Sequence, residues 1–331
     1  MSIMAILICG AFGFIGYNYS KLLISNNENV ILLDAIKSKS AEINFKNTHK
    51  DIYKVKLDLN KVDEKFLKSN KITKIINFAA ESHVDNSISN PRSFLESNIL
   101  GFENLLRTSI NAGVEEVIHF STDEVYGSIK HGEIDEEGKL FPSSPYSSSK
   151  ASADLIGLSF IKTYDLNLKI IRPANNYGIL QQSEKLIPFS IISLLNKRKI
   201  ELYGDGSNIR HWLHVDDTVE ALEVIRKKGK NGEIYNIGSG EYLSNKILVQ
   251  KIISMMNLDS KSWISYVENR PGHDFRYATN IDKIKNLGWK PKKNIDTELP
   301  KIINWYVENQ NWWEDDYQNT LNSRKNRFKI I

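Results

Sequence analysis

With one cysteine in 331 residues, no disulfide can staple this chain, and Cys9, inside an apolar run, is expected to pack in a core rather than react. No apolar stretch reaches the roughly 20 residues that a bilayer-spanning helix needs. The opening residues Met1-Ser-Ile-Met-Ala-Ile-Leu-Ile8 have no basic flank and no cleavage site, so they should form a strand rather than a signal peptide. Charge of one sign is scarce as well. A formal net charge of +4, dispersed along the chain, offers neither a nucleic-acid groove nor a membrane-binding face. No metal is expected, because His273 and the other candidate ligands lack a cluster of His, Cys and carboxylates at ligand spacing. Internal repeats and low-complexity linkers are also missing. What remains is the expectation of a cytoplasmic protein long enough for one large α/β core and a smaller lobe.

Against that background the N-terminus is distinctive. The run Ile3 to Cys9 reads as a fully buried strand that passes directly into Gly10-Ala-Phe-Gly13-Phe-Ile-Gly16. Glycines there allow a tight turn and let phosphate oxygens approach the backbone N–H groups that open the next helix. A second apolar strand, Val30 to Asp34, ends in an acid roughly twenty residues after the loop, where a carboxylate would hydrogen-bond an adenosine ribose and disfavour a 2′-phosphate. The order of strand, loop, helix, strand and acid predicts a bound NAD.

Strands at Val55–Leu57, Ile75–Ala80 and Glu116–Ser121, with a helix over Ser93–Asn111, continue the alternation and predict a doubly wound parallel Rossmann sheet. Its ligands should sit at the carboxyl ends of the strands. The expected organisation is an NAD-binding domain over residues 1–174, joined by about 210–238, and a smaller sugar-nucleotide-binding lobe from 175–209 and 239–331.

At two of those strand ends lie proton carriers. Thr122-Asp-Glu124 follows the strand 116–121, and adjacent carboxyl groups can divide into an acid and a base when their surroundings separate their pKa values. Tyr146 and Lys150, four apart on a helix, share one face, and the ammonium is expected to lower the phenol from about 10 towards neutrality. Together they equip the chain for a redox-assisted elimination on a sugar.

The segments Phe78-Ala-Ala-Glu-Ser-His-Val-Asp-Asn-Ser87, Ser121 to Gly127, Ser144 to Lys150, Asn175-Asn-Tyr-Gly178, Glu184-Lys-Leu-Ile-Pro188, Tyr203-Gly-Asp-Gly206 and Arg270-Pro-Gly-His-Asp274 resemble the extended short-chain dehydrogenases/reductases, and among them the dTDP-glucose 4,6-dehydratases. The resemblance implies that Tyr146, helped by Lys150, takes the sugar 4-hydroxyl proton while hydride passes to a tightly held NAD, and that Thr122 holds the 4-oxygen. Glu124 would take the proton at carbon 5, Asp123 would protonate the leaving 6-hydroxyl, and the hydride would return to carbon 6. It implies cofactor contacts from Gly10, Gly13, Phe14, Ile15, Gly16, Asp34, Ala35, Asp58, Leu59, Phe78, Ala79, Ala80, Ser82, Ser97, Tyr146, Lys150 and Asn176, with Asp58 facing the adenine amino group. For the substrate it points to Ser82, Thr122, Asn175, Lys185, Leu186, Tyr203, Arg210, Asn245, Arg270 and His273. Arginines suit the diphosphate, and the Tyr203 face suits a pyrimidine. The family also pairs helices of this kind into a homodimer, here through Leu95, Ile99, Phe102, Leu106, Leu155, Leu158 and Ile161. The pathway implied is deoxysugar synthesis for cell-surface polysaccharide.

Departures cluster at the nucleotide end. Gly178-Ile-Leu-Gln-Gln-Ser183 and Glu201 replace proline-containing family patterns, the latter near the base; Ala174, His211 and Asn269 also differ, and Ala35-Ile-Lys-Ser-Lys39 is shorter than usual. A UDP-sugar 4,6-dehydratase is therefore an alternative, separable by dTDP and UDP binding. A 4-epimerase or decarboxylase would not need Asp123, and a non-catalytic NAD-sensing protein would not need Asp123, Glu124, Tyr146 and Lys150 together.

Overall fold

The computed structural model describes residues 4–325 and Phe328. Twelve strands run in chain order: β1 Ala5–Cys9, β2 Val30–Asp34, β3 Tyr53–Lys56, β4 Ile72–Asn77, β5 Glu116–Phe120, β6 Leu168–Pro173, β7 Asn175–Tyr177, β8 Ile200–Tyr203, β9 Ile209–His214, β10 Ile234–Ile237, β11 Glu241–Ser244 and β12 Ile264–Val267. Seven of them form one parallel sheet in the order β10-β6-β5-β4-β1-β2-β3. Helices cover both faces, so β1 and β5 are buried along their whole length, which is why they read as continuous apolar runs. The chain order reverses between β1 and β4, and a crevice for ligands opens there, beyond the carboxyl ends of the strands.

The expected strands are present with small shifts at their ends. The helix expected over Ser93–Asn111 is broken into a short α-helix, Pro91–Phe94, a π-helical turn, Leu95–Leu100, and the α-helix Gly101–Ala112. A π-turn aims side chains off the regular helical stripe. Phe102 and Leu106, expected at a dimer face, instead pack under the sheet with Leu105 and Val117. Leu95, Leu100 and Leu155 remain exposed.

A second core lies around the helices Leu186–Leu195, Asn245–Met255 and Ile295–Glu308, served by a two-stranded sheet (β8, β12) and a three-stranded one (β11-β9-β7). Ile281, Ile284 and Trp289 join the first core and pack with Tyr235 and Ile237. The helix Gln310–Lys325 reaches back across the molecule. Its Asp316 accepts from the N–H groups of Lys39 and Ser40, both at 2.9 Å, at the start of the helix Lys39–Asn47. Trp312 Nε1 donates to Asn44 Oδ1 at 2.9 Å, and Asn44 Nδ2 donates in turn to the Phe12 carbonyl in the glycine loop at 3.1 Å.

Candidate active site

A cleft of about 460 Å³ opens over the ends of β1, β2, β4 and β5. Its floor is the glycine loop. Gly10 adopts φ +73°, and a Cβ there would lie 2.6 Å from the Ala79 N–H nitrogen at the end of β4; at Gly16 a Cβ would meet the Gly10 carbonyl oxygen at 2.1 Å. At Gly13 the nearest atom would be that same oxygen at 3.5 Å, so this position faces open cleft where the helix Phe14–Ser25 begins. Two glycines thus close the turn and the helix packing, and the third leaves room for an anion at the helix N-terminus. At the end of β2, Asp34 accepts from Phe12 N at 3.0 Å and Ile36 N at 2.7 Å. Burial raises its pKa, opposed by those hydrogen bonds. Phe14, Ile15, Ala35, Asp58, Leu59, Phe78, Ala80, Ser82 and Asn176 line the same cleft, and the π-turn delivers Ser97 to it. These residues fit a dinucleotide, and Asn175 Oδ1, also on the cleft, is buried without a partner.

At the end of β5, Thr122 caps the short turn Asp123–Tyr126, its Oγ1 accepting from Glu124 N at 3.3 Å. Asp123 is 2 % exposed and its Oδ2 has no hydrogen-bond partner. Burial first, and then the charge of Glu124, hold its pKa well above the usual carboxylate value. Asp123 is therefore biased towards its protonated form, beside a second carboxyl group. Glu124 lines the cleft and its Oε2 accepts from the Tyr277 hydroxyl at 3.3 Å.

Opposite, the helix Pro145–Tyr164 starts with a capping box of Ser144 and Ser147, which fixes its first turn and so the position of Tyr146. The Tyr146 ring packs edge-on to Phe94 at 6.3 Å. Lys150 Nζ donates to the Phe120 carbonyl at 2.6 Å and lies 3.3 Å from His119 Nε2. Burial pulls the Lys150 ammonium down to about 8. The expected acidic tyrosine is not what this packing produces: burial, then the charge of Glu124, push the Tyr146 phenol up, with a hydrogen bond from Thr122 opposing. Spacing shows which side chains share a helix face, and leaves out the desolvation that here outweighs the ammonium.

The substrate residues divide into two groups. Ser82, Thr122, Asn175 and Lys185 line the cleft, with Lys185 Nζ donating to the Ser82 carbonyl at 2.7 Å. Tyr203, Arg270 and His273 gather outside that lining, around Asp85. The Tyr203 hydroxyl donates to Asp85 Oδ2 at 2.5 Å, and Arg270 Nη1 lies 3.4 Å from Oδ1. Burial, then Arg270 and Arg210, pull His273 down to about 3, so it is neutral. Arg210 sits over the Tyr277 ring at 4.3 Å and donates to the Asp274 carbonyl at 3.1 Å. Leu186 and Asn245 open the helices Leu186–Leu195 and Asn245–Met255 and fall outside the cleft lining. Sequence reasoning passed over Tyr277 and His83. Tyr277 follows the Arg270 to Asp274 motif by three residues, and His83 lies inside the matched segment 78–87, but only the fold brings them to the site. Among the described residues no group of three or more His, Cys, Asp or Glu could hold a metal.

The model of the GDP-mannose 4,6-dehydratase family matches residues 7–302. The chain belongs to this family. A relative from Haloferax volcanii, the low-salt glycan biosynthesis protein Agl12, is 39% identical over 310 residues, covering 92% of this chain and 99% of that protein. The dTDP-glucose 4,6-dehydratase of Streptomyces antibioticus is 42% identical over 243 residues, 72% of each chain. Among solved structures of the family fold, DesIV from Streptomyces venezuelae, a dTDP-glucose 4,6-dehydratase with NAD and TYD bound, superposes with a TM-score of 0.90 at 37% identity, covering 95% of this chain and 100% of that one. The family's doubly wound sheet and switch-point crevice are thus those described above.

Proposed function

We propose that this protein is an NAD-dependent 4,6-dehydratase, a hydro-lyase that converts dTDP-glucose to dTDP-4-keto-6-deoxyglucose. The observation that carries the reading is the pair at the end of β5, a buried Asp123 whose pKa stands well above the usual carboxylate value, next to Glu124, which lines the glycine-loop cleft together with Tyr146. NAD, which that cradle and Asp34 would hold, would accept the hydride from carbon 4 and give it back at carbon 6 after water has left. Thr122 and Tyr146 would hold the 4-hydroxyl, and Tyr146 would take its proton as the phenol's own proton passes on to neutral Lys150. Lys150, at about 8 and on the same helix face, can exchange protons at neutral pH. Oxidation at carbon 4 acidifies the hydrogen at carbon 5, which Glu124 removes. Asp123 then gives its proton to the 6-hydroxyl, and water leaves. A general acid must be protonated before it acts, and burial beside a like charge achieves that.

Incubation with dTDP-glucose and a panel of other sugar nucleotides, followed by mass spectrometry, tests the reading: the product should be lighter by one water. Retained mass with inverted carbon 4 would indicate an epimerase instead. Turnover of UDP-glucose in preference to dTDP-glucose is the second reading, favoured by Glu201 and the altered 178–183 segment at the nucleotide end. We further infer a homodimer built on the exposed Leu95, Leu100 and Leu155, acting in the cytoplasm to supply deoxysugars for cell-surface polysaccharide. Light scattering at micromolar concentration checks the assembly, and a monomer would rule it out.

A further inference from the structure

Beyond the family match, which ends at residue 302, the helix Gln310–Lys325 carries Arg324 into the nucleotide end of the site. Its guanidinium carbon lies 3.7 Å from the centre of the Phe189 ring and 5.8 Å from that of Tyr203. The side chain is 11% exposed, and Nη1 stands 3.5 Å from Glu201 Oε2. Yet Nε and Nη1 are both buried without a hydrogen-bond partner. Arg324 is not alone in this. Arg270 Nε and His83 Nδ1 are buried and unpartnered too, the first bridged to Asp85 through Nη1 and the second on the wall of the cleft. Arg324 acts electrostatically on both His83 and Asp85, so these groups share one neighbourhood.

Four buried polar atoms on three distant segments thus lack hydrogen-bond partners beside the cleft wall that His83 lines, Arg324 Nη1 having only its ion pair with Glu201. Leaving a buried donor unmade is costly, and native folds rarely do so without a reason. Three of the four atoms are guanidinium nitrogens, which can only donate. The missing partner must therefore present several acceptor oxygens, and a fork of this kind matches phosphate oxygens and planar carbonyls. Because the two arginines come from different segments, an acceptor held between them would be gripped from two sides.

We propose that Arg324 is a specificity-determining ligand of the substrate's nucleoside diphosphate, donating from Nε and Nη1 to its oxygens in concert with Arg270. The proposal rests on the sugar-nucleotide reading of the cleft and adds to it a residue from the C-terminal helix. It explains how this helix bears on the site: it adds a further cation, beside Arg270 and Lys185, to a neighbourhood that also holds the carboxylates Asp85, Glu184 and Glu201.

The test uses the full-length protein and its Arg324→Ala and Arg324→Lys variants in calorimetric titrations with dTDP, UDP, thymidine and NAD. Loss of a charge-assisted pair should weaken dTDP binding by about 10- to 100-fold in Arg324→Ala. Arg324→Lys, which keeps the charge over Phe189 but lacks the fork, should recover only part of it. NAD binding, governed by the glycine loop, should stay within about twofold and shows that each variant is folded; if Arg324→Ala does not fold, Arg324→Lys carries the test alone. With dTDP-glucose as substrate, KM should rise while kcat changes little. A larger loss for dTDP than for thymidine assigns the contact to the phosphates and an equal loss assigns it to the base, and either supports the proposal. Unchanged dTDP affinity in a folded variant overturns it while leaving the dehydratase reading intact. If the unaltered protein binds NAD but neither nucleotide, the sugar-nucleotide reading fails and the proposal with it.

Discussion

Replacing Lys150 by methionine should stabilise the cofactor-free protein relative to the unaltered one in a way that depends on pH, while abolishing most activity. Lys150 is fully enclosed, and its pKa falls from 10.5 to about 8. At about 1.4 kcal/mol for each tenfold change in proton affinity, the buried ammonium costs the fold roughly 3 kcal/mol near neutral pH. The folded value lies below the unfolded one, so the unfolded chain holds the proton more tightly. The penalty is therefore complete below about pH 8 and fades as pH rises towards 10.5. Near pH 9.5 only about 1 kcal/mol of it should remain, so the variant's relative stability should fall by about 2 kcal/mol between pH 7 and pH 9.5. Loss of the donor to the Phe120 carbonyl subtracts about 1 to 3 kcal/mol from the variant, equally at both pH values. His119, the ring nearest the ammonium, is held neutral by burial and adds no slope. Asp154, four residues along the helix, raises the Lys150 pKa, so the figure of about 8 already includes it. Urea unfolding followed by tryptophan fluorescence at the two pH values measures the difference directly. A gap between the two proteins that does not change with pH would refute the reasoning.

Tyr146→Phe should stop the reaction at its first proton transfer, with a fall of about 10²- to 10⁴-fold and no absorbance of reduced nicotinamide on mixing with substrate. Asp123→Asn should still show that absorbance while product water loss falls by a similar factor, because asparagine keeps the shape and cannot give up a proton; near-normal dehydration would remove Asp123 from the acid role. Asp34→Ala should weaken NAD binding and narrow the preference over NADP, since it removes the negative charge at the ribose end and strands the Phe12 and Ile36 N–H groups. Equal affinity of the unaltered protein for both cofactors would count against this.

The cofactor half of the site was legible because its determinants are local. A glycine can be read as a turn, and an apolar run as a strand buried on both faces; Asp34 and Thr122 to Glu124 then fall at strand ends by counting. The same locality made Asp123 and Glu124 recognisable as a pair, and only burial shows that the Asp123 pKa is pushed up. Where several segments converge, the sequence says less. Tyr203 and Arg270 meet at Asp85 with His273 edge-on to the Tyr203 ring, a meeting of distant segments, and Arg324 arrives from a helix with no periodic mark of its purpose. The π-turn at Leu95–Leu100 rotates the stripe that begins at Leu95, which is why Phe102 and Leu106 turn inward. The Tyr146 phenol failed the simple expectation because a pKa depends on solvent exclusion as much as on the nearest cation.

The bridge from Asp316 and Trp312 to residues 39–44, and through Asn44 to the carbonyl of Phe12, also has a bearing on biosynthesis. The five residues proposed as catalytic have all been translated by Lys150, yet the glycine loop gains this brace only once residues past 316 have cleared the ribosome. A nascent chain paused before that point holds the whole chemical apparatus with its glycine loop untethered. Cofactor capture would then wait for the C-terminal helix to dock, and the newly made protein would pass through an interval in which it is assembled but not yet charged.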